Sequence, residues 1–225
     1  MTHIVAGRTR PYLQIPGSLQ NKVGQEIETV GAKVGLNFIV NTVLDKNDKI
    51  VDVVSGEPEK AFRYGVEYAE RVYFPRVPGA ADVVVVSSYP ADKDYWQAIK
   101  PVTYASAAVK TGGTIVLLSP CRDRISPTHP LAGEKAGTRY EDVVKMLSSN
   151  EVDDLVAAGF LLLHSQILER ANVVCYSEGL RGTDKESLKF IYAENPQEAL
   201  NMALENQGRE ARVGIKCGEI LSRTK

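Results

Sequence analysis

Gln97 and Lys100 stand three residues apart in the run Tyr95-Trp96-Gln97-Ala98-Ile99-Lys100. On a helix, side chains at that spacing are neighbours. An amide beside an ammonium presents several N–H donors to one acceptor group, a pattern suited to gripping a carboxylate. Upstream lies the apolar, β-branched run Ala81-Asp82-Val83-Val84-Val85-Val86-Ser87-Ser88, a buried strand, followed by the turn Tyr89-Pro90-Ala91-Asp92-Lys93-Asp94. In open α/β sheets, ligands bind just beyond the carboxyl ends of strands, which is where this pair falls. The same two residues also read as a solvated amide and ammonium on a surface helix, the usual setting for charged side chains.

Other residue types capable of chemistry are sparse. His3, His129 and His164 show no pairing at metal-ligand or catalytic spacing. His164 precedes Ser165 in an apolar helical run, but without a GxSxG elbow it is expected to be a histidine at the edge of the core. Cys121, Cys175 and Cys217 are odd in number and isolated, which argues against a disulfide framework and a zinc site. Cys175 is expected to be a buried thiol in the strand Asn172 to Tyr176. Cys121 and Cys217 read as packing residues after strands. The rival for Cys121 is a nucleophile in an unrelated Rossmann-like enzyme. Cys121-Arg122-Asp123-Arg124 closes the strand Thr114 to Ser119 and offers Arg122 or Arg124 to a site there.

The elements that must position these residues follow from hydrophobic period and turn chemistry. Residues 1–20, with Pro11 and Pro16, read as an extended arm. A helix is expected from Lys22 to Val34, stopped by Gly35, then strands Asn37 to Leu44 and Lys49 to Val54 around Asp45-Lys46-Asn47-Asp48, then a helix from Glu57 to Tyr73. Phe74 to Gly79 breaks the pattern, giving two expected units, 1–78 and 79–225. In the second, strands Asp82 to Ser87, Thr114 to Ser119, Asn172 to Tyr176, Leu188 to Tyr192 and Arg212 to Lys216 alternate with helices Tyr95 to Lys110, Thr138 to Ser148, Val152 to Arg170 and Pro196 to Gln207, the last with Asn195 as its cap, Pro196 at its first position and Glu198 at its third. Such alternation predicts an α/β fold with a mostly parallel, Rossmann-like sheet flanked by helices. Neither GxGxxG nor GxxxxGK occurs, so no dinucleotide or P-loop fingerprint accompanies it.

With 225 residues and 44% hydrophobic content, the chain is long enough to bury a sizeable core. A formal net charge of −1 without basic clusters lacks the footprint of nucleic-acid binding. The longest apolar run, Ala157 to Leu163, is far too short for a bilayer span, and the amino terminus carries no secretory signal pattern. A soluble, cytoplasmic protein is expected.

Strand, Tyr89-Pro90, Asp92, Gln97-x-x-Lys100, an Ala-rich helix, Gly112-Gly113 and Thr114-Ile115-Val116-Leu117-Leu118 together resemble the carboxy-terminal domain of the nickel-dependent lactate racemase family. A second segment is similar to the part preceding that domain: Gly35-Leu36-Asn37-Phe38-Ile39-Val40-Asn41-Thr42-Val43-Leu44-Asp45, then Ile50-Val51, Ser55-Gly56-Glu57-Pro58, Arg63 and Gly65-Val66-Glu67. The likeness runs from about Asn21 to the end and weakens after Pro120. Two departures stand out: Ile125-Ser126-Pro127-Thr128-His129-Pro130 replaces a glycine- and histidine-bearing loop, and Leu163 stands where family members carry a tryptophan, upstream of Gln166-Ile167-Leu168-Glu169-Arg170.

The resemblance implies a 2-hydroxyacid racemase or epimerase working by hydride transfer to a nickel pincer nucleotide. Gln97 and Lys100 are then the substrate-carboxylate clamp. No catalytic acid–base residue and no covalent cofactor anchor is expected in this chain, because in the family these precede the matched region, and His3 is the one candidate nickel ligand. Residues 1–78 would be part of an incomplete amino-terminal domain. The chain would then be either a separate subunit of a split enzyme, acting with an amino-terminal-half subunit, or a truncated product; it is expected to form homo- or hetero-oligomers and to be inactive alone. The alternative is a non-catalytic α/β binding or scaffold module that keeps the fold without the chemistry.

Overall fold

The computed structural model describes residues 22–216 other than 46, 74, 75 and 78, together with the backbone of 223–224. His3, Cys217 and the arm expected over 1–20 lie outside the described residues. Among the described residues no helix is long and apolar enough to cross a membrane.

The first part of the chain forms α1 (Lys22–Lys33), β1 (Ile39–Leu44), β2 (Ile50–Gly56) and α2 (Pro58–Tyr73). β1 and β2 pair antiparallel, with Thr42 opposite Val53. Their turn is closed by Asp45, whose carboxylate accepts from the backbone N–H of Asn47 and Lys49 at 2.7 and 3.0 Å. Strand alternation turns Val43 and Val54 inward, where they are buried with Ala61 of α2. Gly65 lets the helix approach closely, since a Cβ there would sit 3.0 Å from Val54 Cγ2. The opposite face exposes Val40, Val51 and Val53, and α1 with the turn that follows it exposes Ile27, Val30 and Val34, the last 75% exposed. An ion pair at 3.3 Å between Glu28 and Arg63 links α1 to α2. A two-stranded sheet covered by one helix is marginal in isolation, and this one leaves much of its apolar surface in water.

Beyond β3 (Arg76–Val77), which pairs in parallel with β9 (Arg223–Thr224), the chain builds the α/β unit. Its elements are β4 (Ala81–Ser87), α3 (Tyr95–Ala108), β5 (Val109–Leu118), α4 (Pro130–Lys135), α5 (Tyr140–Ser148), α6 (Leu155–Arg170), β6 (Asn172–Tyr176), α7 (Gly182–Leu188), β7 (Ile191–Tyr192), α8 (Pro196–Gln207) and β8 (Val213–Lys216). The five strands are all parallel in the order β7-β6-β5-β4-β8. The path runs outward from β4 to β7, then crosses to place β8 on the other side of β4. The strand order therefore reverses between β4 and β8, the kind of switch point at which α/β sheets bind ligands.

Helices cover both faces, which is why the central strands are nearly continuous runs of apolar residues. Val84, Val86, Ile115, Leu117 and Val173 pack with Ile99 and Val102 of α3 and Leu161 and Ile167 of α6. Val83, Val116 and Val174 point the other way, onto Ala199 and Ala203 of α8. As the sequence suggests, Asn195 caps α8 by accepting from the Glu198 N–H at 2.9 Å, with Pro196 in the first turn.

The structure departs from the sequence reading in three places. The expected strand Leu188 to Tyr192 reduces to Ile191–Tyr192, because Leu188 ends α7 with its side chain fully buried and Lys189 takes a left-handed φ of 54° as the helix C-cap. β5 begins at Val109 rather than Thr114. Val109 already pairs with Ala81, and the register shift that follows is accommodated by Gly112 at φ +79° and by Gly113, where a Cβ would lie 2.7 Å from the Asp82 carbonyl. The short helices α4 and α7 also lie in segments whose polar composition showed no helical period.

Candidate functional site

α3 starts at the carboxyl end of β4, and its first turn is fixed from two directions. Asp94 caps it, accepting from the Gln97 N–H at 2.8 Å. The loop after β5 supplies acceptors for two more helix-start donors, with Tyr95 N–H on the Arg124 carbonyl at 2.9 Å and Trp96 N–H on the Ile125 carbonyl at 2.8 Å. Pro101, inside the helix, has no N–H to give the Gln97 carbonyl, so these outside contacts carry much of the positioning. On this turn Lys100 Nζ donates to Gln97 Oε1 at 2.8 Å. Gln97 is half-buried and Lys100 is exposed. With Oε1 turned to the ammonium, the pair presents mainly donors: the Gln97 amide N–H groups and the remaining ammonium hydrogens.

Trp96 precedes Lys100 by one helical turn and shares its face. Its indole stacks on His129, with centroids 4.3 Å apart and planes 15° from parallel, and on Phe160 of α6 at 5.0 Å and 11°. His129 Nδ1 lies 2.8 Å from Asp154 Oδ2. Asp154 is also the N-cap of α6, accepting from the Ala157 N–H at 2.9 Å. That backbone donor and then His129 hold the Asp154 carboxyl below the usual carboxylate range. A carboxylate only accepts, so the imidazole is fixed with its Nδ1 hydrogen on Asp154 and its Nε2 facing elsewhere. Sequence spacing did not reveal this pair. Its members are 25 residues apart and meet because each sits at a helix start.

Beneath this surface lies a buried polar contact. Tyr95 is fully buried, and its hydroxyl meets His164 Nδ1 at 2.9 Å, while His164 Nε2 lies 3.2 Å from the Leu188 carbonyl. The carbonyl must accept, so Nε2 carries the hydrogen and Nδ1 accepts from Tyr95. Burial lowers the His164 pKa to about 4, outweighing the opposing carbonyl bond. Expected at the core's edge, His164 is instead inside it.

The remaining candidates divide cleanly. Cys121 is buried beside Ser119, with Sγ 3.0 Å from its hydroxyl, and burial pushes its thiol up to about 11. A thiol so protonated is a poor nucleophile, and the packing reading holds. Cys175 is buried as expected. Arg124 is committed to Asp184, with Nε and Nη2 each 2.9 Å from a carboxylate oxygen, and so anchors α7 to the loop beneath α3. Arg122 is exposed, and Leu163 packs partly buried against the core. Lys216, at the carboxyl end of β8, is lowered to about 8 by burial, and its ammonium lies 5.4 Å from the ring centroid of Tyr104, one turn beyond Lys100.

A parallel five-stranded sheet flanked by helices defines an α/β domain, and comparison with known proteins specifies which. The model of the lactate racemase C-terminal domain matches residues 77–219, and the chain belongs to this family. It is 25% identical over 213 residues to the lactate racemase of Thermoanaerobacterium thermosaccharolyticum, covering 91% of this chain and 49% of that protein. With the lactate racemase of Lactiplantibacillus plantarum it shares 31% identity over 203 residues, covering 88% of this chain and 47% of that protein. The chain thus spans about half the length of these relatives. The lactate racemase apoprotein structure from T. thermosaccharolyticum superposes with a TM-score of 0.81 at 22% identity, over 99% of this chain and 55% of that one. A Thermotoga maritima protein gives 0.65 at 16% identity, over 93% and 55%. These superpositions establish the fold.

Proposed function

We propose that this chain is the carboxy-terminal part of a lactate racemase-like 2-hydroxyacid racemase or epimerase, and that Gln97 and Lys100 clamp the substrate carboxylate. One observation carries the reading: in a member of this family, the two side chains are already joined at 2.8 Å on the first turn after β4, with no other hydrogen-bond partner among the described residues. A preassembled clamp loses little freedom on binding and places the 2-carbon of its ligand in a fixed position.

The family's cofactor, a nickel pincer nucleotide, does not fit what the described residues offer. Among them no group of three or more His, Cys, Asp or Glu side chains is placed to hold a metal ion, and His3, the proposed nickel ligand, lies outside them. In this reading cofactor and acid–base pair reside in an amino-terminal region, on a separate subunit or a longer polypeptide, that closes over the exposed clamp. The apolar face of α1, β1 and β2 supports such a partner, since contiguous exposed apolar surface favours association. The cytoplasm is the proposed location.

Co-expression with a protein resembling the amino-terminal half of these racemases tests the proposal. The expected result is a copurifying complex that contains nickel and interconverts D- and L-lactate, while the 225-residue chain alone does not. Racemisation by the purified chain alone, or failure of the two halves to associate, would overturn it.

A further inference from the structure

The first turn of α3 is not held by the helix alone. Pro101 gives the Gln97 carbonyl no N–H, so the placement of Gln97 and Lys100 depends on what grips the helix start from outside. Asp94 caps it locally, and the rest of the grip comes from the loop after β5. The Arg124 and Ile125 carbonyls accept from the Tyr95 and Trp96 N–H groups at 2.9 and 2.8 Å, while the Cys121 and Asp123 N–H groups donate to the Asp92 and Lys93 carbonyls at 3.0 and 2.9 Å. This loop bends at Arg124, which takes a left-handed φ of 66° although it is not a glycine. Glycine adopts that backbone without penalty, so what an arginine adds here is its side chain.

That side chain makes a two-pronged ion pair with Asp184, Nε and Nη2 each 2.9 Å from a carboxylate oxygen, and Nη2 also donates to the Thr183 hydroxyl at 3.1 Å. Asp184 is itself held: its side chain is only 7% exposed, and its Oδ2 accepts from the Arg181 N–H at 2.8 Å. α7 has an anchor of its own, since Leu188 is fully buried at its end and β7 follows, paired to β6. Through the ion pair the loop shares that anchor. Resting on the clamp reading, we infer that Arg124 is a positioning residue of the clamp: its ion pair with Asp184 locks the loop whose carbonyls set the first turn of α3, and so holds Gln97 and Lys100 in the arrangement that meets a carboxylate. A bidentate guanidinium–carboxylate pair suits this task because its two parallel bonds fix orientation as well as distance. Without it the donor pair must be ordered when the ligand binds, at a cost in affinity.

The full chain and its variants are titrated with L-lactate by calorimetry, and exchange of the Tyr95 and Trp96 backbone amides is followed by NMR. Arg124→Met is expected to weaken lactate binding about ten-fold and to speed exchange of those two amides by about the same factor. Asp184→Asn should act in the same direction by about three-fold, because the amide keeps one acceptor. Arg124→Lys, with a point charge in place of the fork, should fall between Arg124→Met and the unaltered chain. Arg124→Met and Asp184→Asn change net charge in opposite senses, so an electrostatic effect alone would weaken binding in one and strengthen it in the other; opposite shifts overturn the inference. Arg170→Met is the control for anchoring of α3 in general, because Arg170 holds its far end through the Ser106 and Val109 carbonyls at 2.6 and 3.2 Å, and it should leave lactate affinity unchanged. Equal weakening in Arg170→Met, or unaltered affinity and exchange in Arg124→Met, also overturns the inference. If Lys100→Ala abolishes binding while Arg124→Met does not weaken it, the clamp stands and its brace is refuted. If Lys100→Ala leaves binding unchanged, or the unaltered chain binds no lactate, the clamp fails and the inference with it. Circular dichroism matched to the unaltered chain identifies variants that are folded.

Discussion

Acid should loosen this fold through His164 before it touches the carboxylates. His164 is fully buried and neutral, with a pKa lowered to about 4 against an ordinary value of 6.5. Because the folded value lies below the unfolded one, the unfolded chain binds the extra proton between them. Stability is therefore fully present above about pH 6.5 and is lost as pH falls towards 4. Integrating that linkage from neutral pH down to about pH 4.5 gives a loss of about 2.5 kcal/mol, a large share of a typical domain's stability. The carboxyls of Asp82, Asp142 and Asp154 are all lowered from 3.8, so they contribute their losses only at lower pH. Urea unfolding at several pH values, followed by Trp96 emission, measures the slope. His164→Phe should be less stable at neutral pH, because the Tyr95 hydroxyl and the Leu188 carbonyl lose their partner, yet its stability should be nearly flat over the same window. Equal pH slopes in the two proteins would refute the argument. Since Tyr95 opens the turn that carries Gln97, weakened ligand binding should accompany the acid loss.

In a reconstituted, active complex, Lys100→Ala should lower kcat/KM by about 100-fold and Gln97→Ala by less, because a charged donor to a carboxylate contributes more than a neutral one; equal, negligible effects in steady-state kinetics would count against the clamp. Gly179→Ala should destabilise severely, since its Cβ would collide with the Cys121 backbone carbonyl, and a melting temperature within a degree or so of the original would contradict that packing. Lys216→Met should stabilise the chain by about 2 kcal/mol at neutral pH, because it removes a buried ammonium with no hydrogen-bond acceptor among the described residues. The original protein, with a folded Lys216 value below the unfolded one, should gain stability from about pH 8 to 10.5 while the variant does not. Sedimentation should show an oligomer, driven by Val34, Val40 and Val53, and Val53→Lys should shift it towards monomer; a stable, dilute monomer of the unaltered chain argues against an association face.

Hydrophobic period and turn residues by themselves determined most of the element order, the hairpin around Asp45 and the cap at Asn195, because these are local: each depends on side chains within a few residues of one another. They also located Gln97 and Lys100, since i, i+3 neighbours meet on any helix. The residues carrying the family likeness were readable for the same reason, as contiguous runs. Strand order, by contrast, depends on which edges pair. That β8 crosses to lie beside β4 is decided by long-range burial, and only then does the start of α3 become the mouth of a switch point. The short helix α7 forms because Arg124 reaches Asp184 from sixty residues away and Leu188 fills the core. His129 and Asp154 are each unremarkable in sequence. Packing α4 against α6 brings them to 2.8 Å, and α6 against α3 sets them beside Trp96, because a side chain's partner is set by tertiary contact wherever the chain separation exceeds the reach of a single helix or turn.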